Sequence, residues 1–125
     1  MMIGGSVDLV DRLQGALSCM ASKILHMGDV GAGQLTKLIN QLLFDINAAA
    51  LAEILPLASK LNIDPSKIGD VVNSGTGRSY ASEFFIPHVL SGSFNNGYPM
   101  DAAYKDLISG AEISARFRIP TPVLA

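Results

Sequence analysis

The sequence predicts a mainly α protein: a helical bundle around one long central helix, with a short strand-helix-strand segment ahead of it. Three observations predict this. Leu35, Leu38, Ile39, Leu42, Leu43, Ile46, Ala49 and Ala50 recur at the three-and-four spacing of a helix, and the pattern continues to Leu61. Proline, glycine, aspartate and serine divide the remainder into helix-length pieces. Two short β-like runs flank a single amphipathic stretch near the start.

Residues 1–5 read as a strand. Ser6 can cap a helix carrying Val7, Leu9, Val10, Leu13 and Leu17 and reaching about Ala21. Residues 23–27 form the second strand. The long helix runs over residues 34–61, roughly 42 Å at 1.5 Å per residue. Pro56 lies inside it, removes one backbone donor and crowds the carbonyl of Ala52, so a kink is expected there.

Asp64 caps the next helix with Pro65 at its first position, and that helix should end near Asn73. A helix from Tyr80 holds as far as Ile86, where Pro87 forces a kink or break. Asp101 can cap a last helix to about Phe117, and Pro120-Thr121-Pro122 is extended.

At 125 residues the chain is the size of one domain. It is 49% hydrophobic and only 16% charged, where about 25% charged is usual. Apolar surface therefore needs cover from a further domain or a second subunit. The net charge of −2, with scattered Lys and Arg, offers no basic field for nucleic acid.

Residues 42–61 are the most apolar. Asp45, Glu53, Pro56 and Lys60 interrupt them at a cost in lipid, so we expect a buried helix of a soluble domain and no membrane partner. The first residues lack the charged, apolar and cleavage regions of a signal peptide. The single Cys19 cannot form an internal disulfide, so a cytoplasm or organelle matrix is expected. His26 and His88 have no third ligand at metal spacing, and no metal is expected.

The densest cluster of unusual residues is Gly28-Asp29-Val30-Gly31-Ala32-Gly33-Gln34-Leu35-Thr36-Lys37-Leu38-Ile39-Asn40-Gln41. A glycine-rich turn opens the long helix. Lys37, Asn40 and Gln41 project from one helix face and predict a small polar pocket. The segment is a poor phosphate loop: the third glycine of Gly-x-Gly-x-x-Gly falls on Thr36, and no Gly-Lys-Ser/Thr ending follows. By themselves the glycines read as a strand-to-helix turn and Lys37 as a solvated lysine.

Gly-x-x-Gly-x-Gly-x-x-x-Lys followed by paired amides resembles the catalytic motif of the β-hydroxyacid dehydrogenases, the family of 3-hydroxyisobutyrate dehydrogenase and tartronate semialdehyde reductase. Two later blocks fall in the family's order: Ser74-Gly75-Thr76-Gly77-Arg78-Ser79, and Gly97-Tyr98-Pro99-Met100-Asp101 leading to Lys105-Asp106-Leu107. The resemblance implies a helical domain like the C-terminal domain of 6-phosphogluconate dehydrogenase. It also implies an NAD- or NADP-dependent oxidoreductase that interconverts a small hydroxy acid and its semialdehyde or keto form.

It further implies the site. Lys37 would take up the hydroxyl proton as hydride leaves carbon and return it in reverse. Gly31 and Gly33 would bring backbone close to the substrate. Asn40 and Gln41 would hold Lys37 and the substrate. Many relatives carry Asn-Asn there, so the longer Gln41 leaves open which amide takes which role. Tyr98 would wall the substrate site. Lys105 would reach the nicotinamide side, supported by Asp106. Arg78 could pair a substrate carboxylate or form a structural ion pair.

By the same resemblance, residues 1–30 are a remnant of the end of a Rossmann domain. Residues 31–125 are the helical substrate and dimerisation domain, truncated at its end. NAD or NADP would be bound mainly by the absent domain, where the residue that distinguishes the two would also lie. The fragment alone is then expected to be inactive and to self-associate. The rival expectation is a non-enzymatic helical dimerisation module.

Overall fold

The computed structural model describes all residues except Asn96, Tyr98 and Ala125. The chain divides into two compact units, Met1–Gln41 and Leu42–Ala125.

In the first unit, β1 (Met2–Ile3) pairs in parallel with β2 (Leu25–His26), Met2 opposite Leu25 and Ile3 opposite His26. Parallel neighbours need a crossover, and α1 (Val7–Ser18) supplies it. As expected, Ser6 caps α1: its side chain accepts from the Leu9 N–H at 3.3 Å. Only Leu17 of α1 is buried, and Leu9 and Leu13 stay exposed.

The long helix α2 spans Ala32–Lys60, its residues 32–41 counted with the first unit and the rest with the second. It continues through Pro56. The expectation that it would be buried fails in this chain: only 17% of its most apolar window is covered. Leu55 and Ala58 are buried, whereas Leu35, Ile39, Leu43, Ile54 and Leu57 are exposed. The other elements cover only part of its circumference. By length and composition alone the helix could cross a membrane.

In the second unit, α3 (Pro65–Ser74) is capped by Asp64, which accepts from the Ser66 N–H at 2.9 Å. The α4 helix (Tyr80–Leu90) opens with a reciprocal cap. Ser79 Oγ accepts from the Ser82 N–H, and Ser82 Oγ accepts from the Ser79 N–H. It buries Ala81, Ser82 and Ile86. Gly69 of α3 lets Ile86 approach closely enough that a Cβ there would meet Ile86 Cγ2 at 2.8 Å.

Pro87 does not end α4. The following turn closes through the Ser91 N–H on the Pro87 carbonyl at 3.1 Å, and the buried Ile86 holds the helix against α3 despite the lost donor. Phe44, Tyr80, Phe84 and Phe85 form an aromatic cluster between α2 and α4, with the Phe44 and Phe85 centroids 5.5 Å apart.

The last helix, α5, spans Met100–Phe117. Its cap position is Pro99 and makes no side-chain cap bond, which corrects the expected role of Asp101. Asp101 instead stands in the first turn, where its charge faces the positive helix end. Arg118 closes the helix at φ +55°. Residues 122–124 form a turn, with the Leu124 N–H on the Thr121 carbonyl, so the expected extended run ends at Thr121.

Candidate functional site

The polar group predicted from the motif assembles in the first unit. Gly31 takes φ +95°, a conformation that favours glycine, and turns the chain from the β2 exit into α2. Gly33, in the first turn of α2, is buried against β1. A Cβ on Gly33 would meet the Met2 carbonyl oxygen at 2.7 Å, and one on Gly4 would collide with the Asp29 carbonyl oxygen. The helix start and the strand end are therefore in backbone contact. Gly33 serves this contact, a use not foreseen in the motif.

The contact sets the next turn of α2 beside the strand. Met2, Ile3, Gly4, Gly33, Gln34 and Lys37 line a cavity of about 450 Å³. Lys37 is exposed, and its Nζ donates to Gln41 Oε1 at 2.6 Å. Asn40 Nδ2 donates to the same oxygen at 3.3 Å. One ammonium and two amides thus form a connected group, of which Lys37 lines this cavity.

Lys105 and Asp106 lie on α5 in the second unit and pair with each other at 3.2 Å, the Lys105 side chain 75% exposed and that of Asp106 15%. Tyr98 lies outside the described residues. Arg78 forms the structural ion pair, its Nε on Glu83 Oε1 at 2.6 Å. The His26 ring meets the Gly5 carbonyl at 2.7 Å, and His88 packs on Phe84. Among the described residues no cluster of His, Cys, Asp and Glu could hold a metal.

A family model described as NAD-binding of NADP-dependent 3-hydroxyisobutyrate dehydrogenase matches residues 31–125. The chain belongs to this family. Its match with the 3-hydroxyisobutyrate dehydrogenase family starts at Gly31 and includes Gly33, Lys37, Asn40 and Gln41.

The chain is 36% identical over 125 residues to 2-(hydroxymethyl)glutarate dehydrogenase of Eubacterium barkeri, covering 99% of the chain and 42% of that protein. It is 31% identical to L-threonate dehydrogenase of Cupriavidus necator, covering 100% of the chain and 42% of the relative. It also resembles the crystal structure of 3-hydroxyisobutyrate dehydrogenase from Salmonella typhimurium, with TM-score 0.88 and 33% identity over 97% of the chain and 43% of the other. The chain therefore spans about two-fifths of the length of these dehydrogenases.

Two residues escaped the sequence reading. Gln34 lines the Lys37 cavity. Its spacing, three residues before Lys37 on the same helix face, was the available signal. Asp45 is 8% exposed and its Oδ2 has no hydrogen-bond partner. Burial pushes its pKa up, and the negative charge of Asp106 adds to this. Its signal was a lone acid between Phe44 and Ile46 in an apolar run.

Proposed function

We propose that the chain is part of an NAD- or NADP-dependent dehydrogenase that interconverts a small hydroxy acid and its semialdehyde or keto form. Lys37 is the group that moves the proton. The observation that carries this reading is the bond of Lys37 Nζ to Gln41 Oε1 at 2.6 Å beside a cavity floored by glycine backbone. An ammonium held by an amide oxygen keeps its remaining N–H bonds for a substrate oxygen.

The described residues fit the reacting end of the cofactor and substrate. At Gly33 the backbone is not open to a pyrophosphate, because its face is taken by the Met2 carbonyl. The bound nicotinamide supplies or accepts the hydride. Toward the alcohol, Lys37 donates a proton to the carbonyl oxygen; toward the carbonyl, it takes the hydroxyl proton. Gln41 orients Lys37, and Asn40 orients Gln41. Gly31 and Gly33 bring backbone close to the substrate. Lys105, supported by Asp106, serves the nicotinamide side. The rest of the dinucleotide site belongs to polypeptide beyond this chain.

L-threonate, named for one relative, is a sugar acid. That supports a small polyhydroxy acid as substrate, in the manner of tartronate semialdehyde reductases.

The test is hydride transfer, read by nicotinamide absorbance, in an enzyme that contains this chain, over a panel of short hydroxy acids with NAD and NADP. Turnover on the order of 1 per second or more is expected there and none from the chain alone. Failure on every acid with both cofactors overturns the reading.

A second reading concerns association. Met100, Tyr104 and Ile108 form an exposed apolar line along α5, and Leu35, Ile39 and Leu43 another along α2. These lines favour a role in self-association alongside the chemistry.

A further inference from the structure

The second unit holds another cavity, about 310 Å³, with no residue in common with the Lys37 cavity. Its size is at the small end of ligand pockets, which run about 300–1,000 Å³. Phe44, Phe85, Met100, Ala103 and Leu107 line it together with one acid, Asp45. No Lys or Arg lines it.

Asp45 is 8% exposed, and its Oδ2 lacks a hydrogen-bond partner. A buried carboxylate without donors is costly, and it is stabilised by a cation that also donates hydrogen bonds. The torsion that carries the two carboxylate oxygens is soft, so either can be turned toward the cavity. Lys105, between the lining residues Ala103 and Leu107 in sequence, is engaged with Asp106 and 75% exposed.

The two phenyl rings strengthen the preference. Phe44 and Phe85 stand 5.5 Å apart at 32°, and aromatic faces carry the negative part of the ring quadrupole, which attracts cations. Acid and rings together make a wall that is apolar in surface and holds one acid with no basic residue beside it. We propose that this cavity binds a small organic ammonium of the arylalkylamine type. The apolar body lies against Met100, Ala103 and Leu107, and the ammonium donates to Asp45. Neutral molecules of the same shape leave Asp45 unpaired, and hydroxy-acid anions are repelled by it.

The test titrates 2-phenylethylammonium into isotopically labelled chain and follows the methyl signals of Met100, Ala103 and Leu107, with 2-phenylethanol as the neutral match. Saturable shifts are expected from the amine, with the alcohol at least about tenfold weaker, because hydrogen bonds between charged groups exceed neutral ones. In Asp45→Asn, nearly the same shape, that difference should vanish.

Equal affinity for amine and alcohol in the unsubstituted chain overturns the proposal, as does the absence of saturable shifts at millimolar amine. Shifts of the Ala103 and Leu107 methyl groups that follow protein concentration alone mean that a second copy fills the cavity, and this also overturns it.

Discussion

Lys37 and Gln41 are joined across one turn of α2, Nζ donating to Oε1 at 2.6 Å. Asn40 reaches the same oxygen at 3.3 Å. The two amides are therefore unequal: Gln41 touches the ammonium, and Asn40 acts on it only through Gln41.

In the enzyme that contains this chain, Lys37→Ala is expected to lower turnover about 100- to 10,000-fold, the range that general acid-base catalysis supplies. Cofactor affinity should stay within a few-fold. The check is kcat from steady-state assays beside Kd from nicotinamide fluorescence. A large loss of cofactor affinity with near-normal kcat would make Lys37 a binding residue.

Gln41→Ala should impair turnover more than Asn40→Ala. The lost partner of Gln41 is a charged donor, a bond worth about 1.5–3 kcal/mol, whereas the bond from Asn40 is neutral, long and exposed. Gln41→Asn, with a side chain one methylene shorter, should fall between the wild type and Gln41→Ala. The reverse order for the two alanine variants would assign the direct role to Asn40.

Gly33→Ala tests the contact between helix and strand. The new Cβ would stand 2.7 Å from the Met2 carbonyl oxygen. This is backbone that cannot step aside as a flexible side chain can, so a loss of about 1–3 kcal/mol is expected, as for other overpacked sites. Amide exchange of β1, β2 and the start of α2 reads it directly. Unchanged protection there would disprove the contact.

Two aspartates should respond to pH with opposite sign. Hydrogen bonds from the Ser66 side chain, then from its backbone N–H, hold the Asp64 pKa below the ordinary 3.8. Its contribution is thus present above 3.8 and is lost as pH falls through the lowered value. Asp45 is raised, first by burial and then by Asp106. Its contribution is full below 3.8 and lost as pH rises through the raised value. Asp45→Asn should then stabilise the chain at pH 7, with a gain that fades as pH approaches 3.8. Denaturant midpoints at several pH values provide the measurement.

Light scattering at micromolar concentration should find a dimer or larger species. Ile39→Glu on α2 and Tyr104→Glu on α5, at positions 67% and 64% exposed, should each shift it toward monomer by introducing charge into an apolar line. A monomeric wild type that binds no hydrophobic dye would count against association.

The helices and most of their starts were legible because local chemistry determines them. Ser6 and Asp64 supply cap oxygens, and Pro65 is preorganised for a first helical position. The grouping of Lys37, Asn40 and Gln41 was also local, since helix geometry alone puts them on one face. Long-range features were less legible. Pro87 reads as a break until the burial of Ile86 is known, and the packing of Gly33 against the Met2 carbonyl has no local signal. The arrangement at Gln41 depends on side-chain rotamers, which spacing does not determine. The exposure of α2 could not be read either, because an apolar sequence demands cover without saying who provides it.

Gly69 and Ile86, seventeen positions apart in sequence, meet in the best-buried part of the second unit. A contact that closes so short a loop costs little chain entropy and forms early. The hairpin of α3 and α4 is then expected to be the segment around which the second unit condenses and the last to open, which amide exchange would show as the strongest protection. A substitution at Gly69 would act chiefly on the speed of folding, whereas one in the sparsely covered α1 would act on the speed of unfolding.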